Sequence, residues 1–370
     1  MSIAVVVMQL FSVIGIVAGT LMFFRKKQLP VDTSSTIQST LSIIIPARDE
    51  ALRIEPLLQS LKAQRWTNFD VIVVDDGSTD ETAAVAKSYG ATVLRSEQVG
   101  DMPPGKSNAC AYGAQHALGD WLLFLDADVQ LSNRDSLQRI VEAFNKQQRG
   151  ILSVQPYHRI IKGYENLSVV FNIIVLTGMN VFTFWGDRFK TAGSFGPCIM
   201  CDHDSYKQTG GHAAAAHSIM DDFALSDVFV AKQLRVTNYT GRDVINMRMY
   251  EEGLQQLVEG WTKNLATASQ STHAAVMTMI QLWIFGVLVT AISVVLAALT
   301  STVALIISSV LYIAYGIHLY ILARRAGTFH PLIIGMYPLF VLFFIGIFMY
   351  SLYRTHIVRS VTWRGRNMNV

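Results

Sequence analysis

Nearly all the charged residues of this chain lie between about positions 25 and 270. Aspartate, glutamate, lysine and arginine are absent from Ile3 to Phe24, from Ala274 to Ala323, and again from Ala326 to Tyr353. About 20 apolar residues are enough to cross a bilayer. The first run is long enough for one crossing, the second for two, and the third forms a further block. Only 15% of the 370 residues are charged, where a soluble domain carries about 25%. Part of the chain is therefore expected to lie in lipid. A secretory leader would place its basic cluster before the apolar run. Here Arg25-Lys26-Lys27 follows it, which predicts a retained anchor over 1–27 whose C-terminal end faces the cytoplasm.

Between the apolar blocks the pattern changes. Residues 28–39 read as a polar linker, and 40–270 as a cytoplasmic domain. Short apolar runs over 41–46, 70–75, 91–94, 121–125 and 151–155 alternate with helical patterns over about 51–65, up to about 89, and from about 106. Continuous apolar strands separated by helices predict an α/β fold, a mostly parallel sheet covered on both faces. The uncharged stretch 166–186 is long enough to cross, but Asn166, Asn172, Thr177, Asn180 and Thr183 make it more polar than the other blocks. A crossing there would also separate Asp126 from the later acidic residues, so an interfacial helix is expected.

Blocks 274–323 and 326–353 form the C-terminal membrane part. Two crossings in the first return the chain to the cytoplasm at Arg324-Arg325. A third would export the basic residues Arg354, Arg359, Arg364 and Arg366, whereas a re-entrant hairpin at Pro331, Gly335, Pro338 and Gly346 would keep them inside. Both remain open, and 354–370 is read as a cytoplasmic basic tail. The formal net charge of +3, with no basic patch interleaved with aromatics, points to no nucleic-acid partner. Cys198 and Cys201 form a single C-x-x-C pair. A structural zinc wants four ligands, so packed thiols are the expectation.

Four motifs stand at or just after expected strand ends. In Val73-Val-Asp-Asp-Gly-Ser-Thr-Asp-Glu81, Asp75 and Asp76 can accept hydrogen bonds from a ribose or a base, while Ser78 and Glu81 read as a capping box. In Asp101-Met-Pro-Pro-Gly-Lys-Ser-Asn108, Lys106 opens a helix, a combination suited to a phosphate, although an ordinary loop lysine weighs as much taken alone. In Leu122-Leu-Phe-Leu-Asp-Ala-Asp-Val129, Asp126 and Asp128 would face the same side of an extended chain. They suit Mg2+ or Mn2+, which one or two carboxylates hold together with substrate phosphates. In His217-Ser-Ile-Met-Asp-Asp-Phe-Ala-Leu225, the pair Asp221-Asp222 is favoured at a helix start by the dipole. Each motif is weak by itself; their order along the chain is not.

Together IIIPARDE (43–50), VVDDGSTD (73–80), PGKSNA (104–109) and FLDADV (124–129) resemble family 2 glycosyltransferases of the GT-A fold. The resemblance runs over about 41–265. It implies a GT-A, Rossmann-like sheet, a UDP-sugar donor, a divalent metal, and inverting hexosyl transfer. Carried over position by position, it puts Pro46, Asp75, Asp76, Lys106 and Asp126 at the nucleotide sugar. Asp128 and Asp126 would hold the metal, and Asp222 would be the general base with Asp221 beside it. Gly211, His212 and Trp261 would line the acceptor or donor pocket. The family's Q-x-x-R-W motif is altered here to Gln256-Leu-Val-Glu-Gly-Trp261, so Gly260 stands where the arginine would be, and Lys263 is a candidate replacement.

More narrowly, SVQPYH (153–158), GMNVF (178–182), RMYEEGLQQLVEGWTKNL (248–265) and VTWRGR (361–366) resemble the members acting in staphyloxanthin-type carotenoid biosynthesis. This implies UDP-glucose as donor, a C30 carotenoid acid as acceptor, and association with other enzymes of that pathway. Without the narrower resemblance, the apolar half suits other lipid acceptors equally: a polyprenyl phosphate, diacylglycerol, or a sphingoid or hopanoid-type lipid. A catalytically dead membrane scaffold has no use for carboxylates at strand ends. A transporter would be expected to carry ionisable residues inside its spans.

Overall fold

The computed structural model describes residues 2–31, 37–216, 218, 220–268, 271–358, 360–363 and 366–369, with side chains omitted for 263–268 and 360–369. The side chain of Lys263, and Arg359, Arg364 and His217, thus lie outside the described residues. The chain divides into two compact units. One comprises Lys27–Tyr157 and Gly193–Arg248; the other comprises Met1–Lys26, His158–Ala192 and Met249–Val370. The segments 158–192 and 249–270, grouped with the α/β domain in the sequence, belong to the second unit.

The first unit is built on a seven-stranded sheet. Its strands are β1 (Leu41–Ala47), β2 (Phe69–Asp75), β3 (Thr92–Arg95), β4 (Trp121–Leu125), β5 (Ile151–Gln155), β6 (Cys198–Asp202) and β7 (Val236–Thr240). The order is β3-β2-β1-β4-β6-β5-β7. β1 runs parallel to β2, with Ile44 opposite Ile72 and Ala47 opposite Asp75, and parallel to β4 on its other side. β6 alone is antiparallel to its neighbours β4 and β5, while β5 and β7 are parallel. β4 is buried along its whole length and β1 everywhere but at Pro46. Strands covered on both faces must be apolar throughout, which explains their unbroken hydrophobic runs. Beneath them Ile44, Ile72, Val74, Leu122 and Phe124 pack with Cys110, Tyr206, Leu225 and Phe229 in one core. All three cysteines are buried free thiols.

Among the described residues of the second unit, four helices are long and apolar enough to cross a membrane: Ile3–Met22, Ala274–Ala298, Thr302–Ala326 and Ile333–Tyr353. The last is a single helix of 21 residues in spite of Pro338. Gly15 and Gly286 face each other so closely that a Cβ on either would come within 2.9 Å of the other's Cα. Small residues at a crossing let apolar helices approach where lipid supplies no hydrophobic drive. Polar side chains tie the same helices together. Gln9 donates to Ser308 Oγ at 3.0 Å, Thr290 to Ser12 Oγ at 2.7 Å, and Tyr315 to the Trp283 carbonyl at 2.6 Å. Within the expected interfacial stretch, a 3-10 turn at Gly163–Ser168 leads into a helix, Val169–Gly178, of only 10 residues.

Phe124 anchors the core of the α/β unit, 2% exposed and packed against the Tyr206 and His212 rings. Phe124→Ala is expected to cost about 3–5 kcal/mol. A lower thermal midpoint of the detergent-solubilised protein checks this.

Candidate active site

Buried parallel strands can release polar side chains only beyond their ends. β1, β2 and β4 all finish at one edge of the sheet, followed by Arg48-Asp49-Glu50, by Asp75-Asp76 and by Asp126. The loops after β1 and β2 are stitched together. Asp49 Oδ1 accepts from the Thr79 amide at 2.8 Å, Asp80 Oδ2 from the Ala51 amide at 3.1 Å, and Thr82 Oγ1 from the Glu50 amide at 2.9 Å. Asp75 Oδ1 accepts from the Ser78 amide at 2.8 Å. The capping box expected of Ser78 and Glu81 does not form. The helix starts later, at Thr82, and Asp80 supplies the acceptor for the Thr82 amide at 3.0 Å. Asp76 keeps a loose ion pair with Arg48 at 3.9 Å, and Pro46 lies opposite Val74 one residue before the end of β1.

Lys106 is the first residue of the helix Lys106–His116. Its ammonium lies 2.8 Å from Asp126 Oδ1, 4.0 Å from Asp222 Oδ1 and 3.4 Å from the Gly196 carbonyl. Burial works against its charge, but Asp126, then Asp222 and Asp221, outweigh that cost and hold the ammonium well above the ordinary lysine range. The next residue, Ser107, donates to Asp221 Oδ2 at 2.5 Å. Asp221 and Asp222 open the helix Asp221–Ala231, and Asp221 Oδ1 also accepts the Asp222 amide at 3.1 Å. The structure thus joins Lys106, Asp126, Asp221 and Asp222, residues spread over more than a hundred positions. Ser107 was missed in the sequence, whereas Gly196 lies in Gly193-Ser-Phe-Gly-Pro197, which the family resemblance suggests is an acceptor loop. Ser107 was legible in PGKSNA, where it follows the lysine, but nothing local announced its partner.

Asp126 and Asp128 are not on an extended strand. β4 stops at Leu125 and the chain turns through Ala127 and Asp128, so strand alternation does not set their directions. Their charges still meet. Burial first, then the carboxylates of Asp126 and Glu50, push Asp128 up to about 7. Two cations, Lys106 and Arg53, against the carboxylates of Glu50, Asp126, Asp128, Asp221 and Asp222 leave the cluster short of positive charge, and all-oxygen donors suit a hard dication. The residues therefore fit Mg2+ or Mn2+. Among the described residues no group of three or more His, Cys, Asp or Glu could hold a metal by itself. That agrees with an ion shared between a carboxylate or two and the phosphates of a ligand.

The model of glycosyl transferase family 2 matches residues 42–207. Proteins named 4,4'-diaponeurosporenoate glycosyltransferase from Staphylococcus aureus strains USA300 and MRSA252 are each 39% identical over 356 residues, covering 95% of this chain and 94% of theirs. The chain belongs to glycosyl transferase family 2. Among solved structures, the mannosyltransferase PcManGT from Pyrobaculum calidifontis, in complex with GDP-Man and Mn2+, matches with a TM-score of 0.52. At 16% identity, over 94% of this chain and 100% of that one, the likeness is one of fold, the GT-A arrangement.

Of the other positions in this family 2 hexosyltransferase, His212 lies near enough to Asp221 and Lys106 for their charges to act on it. His212 is 2% exposed, its Nδ1 sharing a hydrogen bond with Tyr206 Oη at 2.9 Å, and burial pushes it down to about 4. Gly211 sits directly over the Tyr206 ring. Trp261 belongs to the unit of apolar helices, stacked on Phe171 at 4.7 Å and donating to Ser168 Oγ at 3.0 Å.

A carboxyl held near 7 must lose its proton before it can bind a cation. Mn2+ affinity is therefore expected to climb about tenfold per pH unit between about pH 5 and 7 and to level off above, with a proton released on binding. Calorimetric titration in two buffers of different ionisation enthalpy measures both, and Asp128→Asn should flatten the profile.

Proposed function

We propose that this glycosyltransferase is a multi-pass membrane protein that transfers glucose from UDP-glucose to the carboxyl group of a C30 carotenoid acid, 4,4'-diaponeurosporenoate, forming a glycosyl ester. Its catalytic domain would face the cytoplasm. The observation that carries the reaction class is the meeting of Lys106, Asp126 and Asp222 past the strand ends. The acceptor is supported by the relatives' name and by similarity over 95% of the chain, apolar helices included.

In this reading Asp75 and Asp76, with Pro46 nearby, bind the nucleoside, and Lys106 faces the diphosphate. Asp126 and Asp128 hold the metal. When bound, Mg2+ or Mn2+ neutralises charge on the departing diphosphate. An acceptor oxygen attacks the anomeric carbon as the bond to the diphosphate breaks, and the electron pair leaves with UDP. The configuration inverts. Lys106 meets the growing charge on the leaving group with a fixed ammonium, a kind of stabilisation that is strong in a water-poor site. Lys106→Met is accordingly expected to lower kcat/KM by about 10²–10³-fold.

Asp222 orients the acceptor. Free carboxylic acids titrate near ~4, so a carotenoid carboxylate arrives already ionised and needs no base. A lipid hydroxyl would need one. Asp222→Asn is thus expected to cost less activity with the carotenoid acid than with a hydroxylated lipid, and equal large losses on both would contradict this.

The deciding experiment is expression in a host that makes the carotenoid acid, followed by mass analysis of the pigments and by assay of membranes with UDP-glucose, UDP-galactose and GDP-mannose. A single hexose on the pigment, supplied by UDP-glucose, is expected. Hexose on a polyprenyl phosphate, diacylglycerol or sphingoid lipid with none on the pigment would overturn the acceptor.

A further inference from the structure

Gly196 lies in the segment Gly193–Pro197, which leads into β6. A Cβ built on Gly196 would come 1.8 Å from Asp222 Oδ2, 2.4 Å from its Cγ and 2.7 Å from its Oδ1, and these three are its nearest neighbours. Gly196 is not among the residues with positive φ, so its backbone is open to any amino acid. What a side chain would meet here is one carboxylate. The Gly196 carbonyl meanwhile accepts from Lys106 at 3.4 Å, so the same residue borders both the ammonium and the acid.

The segment is held from behind. Phe195 N donates to Ser153 Oγ at 3.0 Å and Asn238 Nδ2 to the Gly193 carbonyl at 2.9 Å. Ser153 Oγ and Asn238 Oδ1 are hydrogen-bonded to each other, and both residues are fully buried. Ser194 Oγ donates to the Asp222 carbonyl at 2.8 Å, fixing the backbone of Asp222 to the same segment. Between a braced backbone and a carboxylate carried by two rotatable bonds, the carboxylate is the part that moves.

We infer that Gly196 is a positioning residue: its missing side chain is what lets the Asp222 carboxylate lie against the 193–197 backbone within reach of Lys106. The inference rests on the proposed role of Asp222. A methyl group at 196 would meet the Asp222 carboxylate first and rotate it away.

The test compares the full-length wild type, Gly196→Ala, Asp222→Ala and the double variant, purified in detergent. Glucose transfer from UDP-glucose to 4,4'-diaponeurosporenoate is the assay. Gly196→Ala is expected to lower kcat by about 10²-fold, the scale of an ångström-sized misplacement, with KM for UDP-glucose unchanged. In the Asp222→Ala background the same change should cost nothing further, because the colliding atoms are gone. Wild-type kcat in Gly196→Ala, or an equal loss in both backgrounds, overturns the inference. Thermal denaturation of the same four proteins separates the two failures. If Asp222→Ala is fully active, the acceptor role of Asp222 falls. The inference about Gly196 then stands only if Gly196→Ala destabilises the wild type and not Asp222→Ala. Should Gly196→Ala not fold at all, recovery of folded protein in the double variant reports the same coupling.

Discussion

A sheet buried on both faces has nowhere to put polar groups except past the ends of its strands, and the catalytic half of this molecule follows from that constraint. β1, β2 and β4 are parallel neighbours, so their last residues fall along a single edge. The acidic loops that follow are gathered there without any special arrangement. What must be added is rigidity, since loops are otherwise mobile. It comes from the exchange of hydrogen bonds between the loops after β1 and β2, in which Asp49, Asp80 and Thr82 each serve the other loop's backbone.

Charge balance governs the site so formed. Lys106 and Arg53 stand among Asp126, Asp128, Asp221, Asp222 and Glu50, two cations against five carboxylates. An anionic sugar nucleotide entering such a cluster meets repulsion unless a cation comes with it. The proposed dication and the raised proton affinity of Asp128 are two responses to the same excess of negative charge. Lys106 also joins strand end to helix start, because Ser107 beside it grips Asp221.

Much of this was legible in the residues. Strands 41–46, 70–75, 121–125 and 151–155 announced themselves as unbroken apolar runs, and all are present with ends within a residue or so. β6 and β7 were not found. Cys198-Ile-Met-Cys-Asp202 was read for its C-x-x-C spacing, as packed thiols, and not as a strand, and Val-Thr-Asn-Tyr-Thr carries polar side chains that find partners only in the folded sheet, as Asn238 does with Ser153 and Gly193. The helix after β2 was placed too early, because Ser78 and Glu81 have capping-box spacing while Asp75 and Asp80 take the competing backbone amides. The last apolar block, open between span and hairpin, is one continuous helix from Ile333 to Tyr353.

The sequence alone determined which residue types would gather past the strand ends, since the motifs there are local and each carries its own chemistry. It also determined where apolar helices must lie, because an uncharged run of that length has few other uses. Only the tertiary structure decided who meets whom. The distances from Lys106 to Asp126 and Asp222 and the turn that takes Asp128 off the strand are set in the folded chain, and the place of Gly196 against a carboxylate follows from β6 entering antiparallel between β4 and β5. That contact is between residues far apart in the chain. No periodicity or motif encodes it, because long-range pairing is chosen by the packing of the whole core.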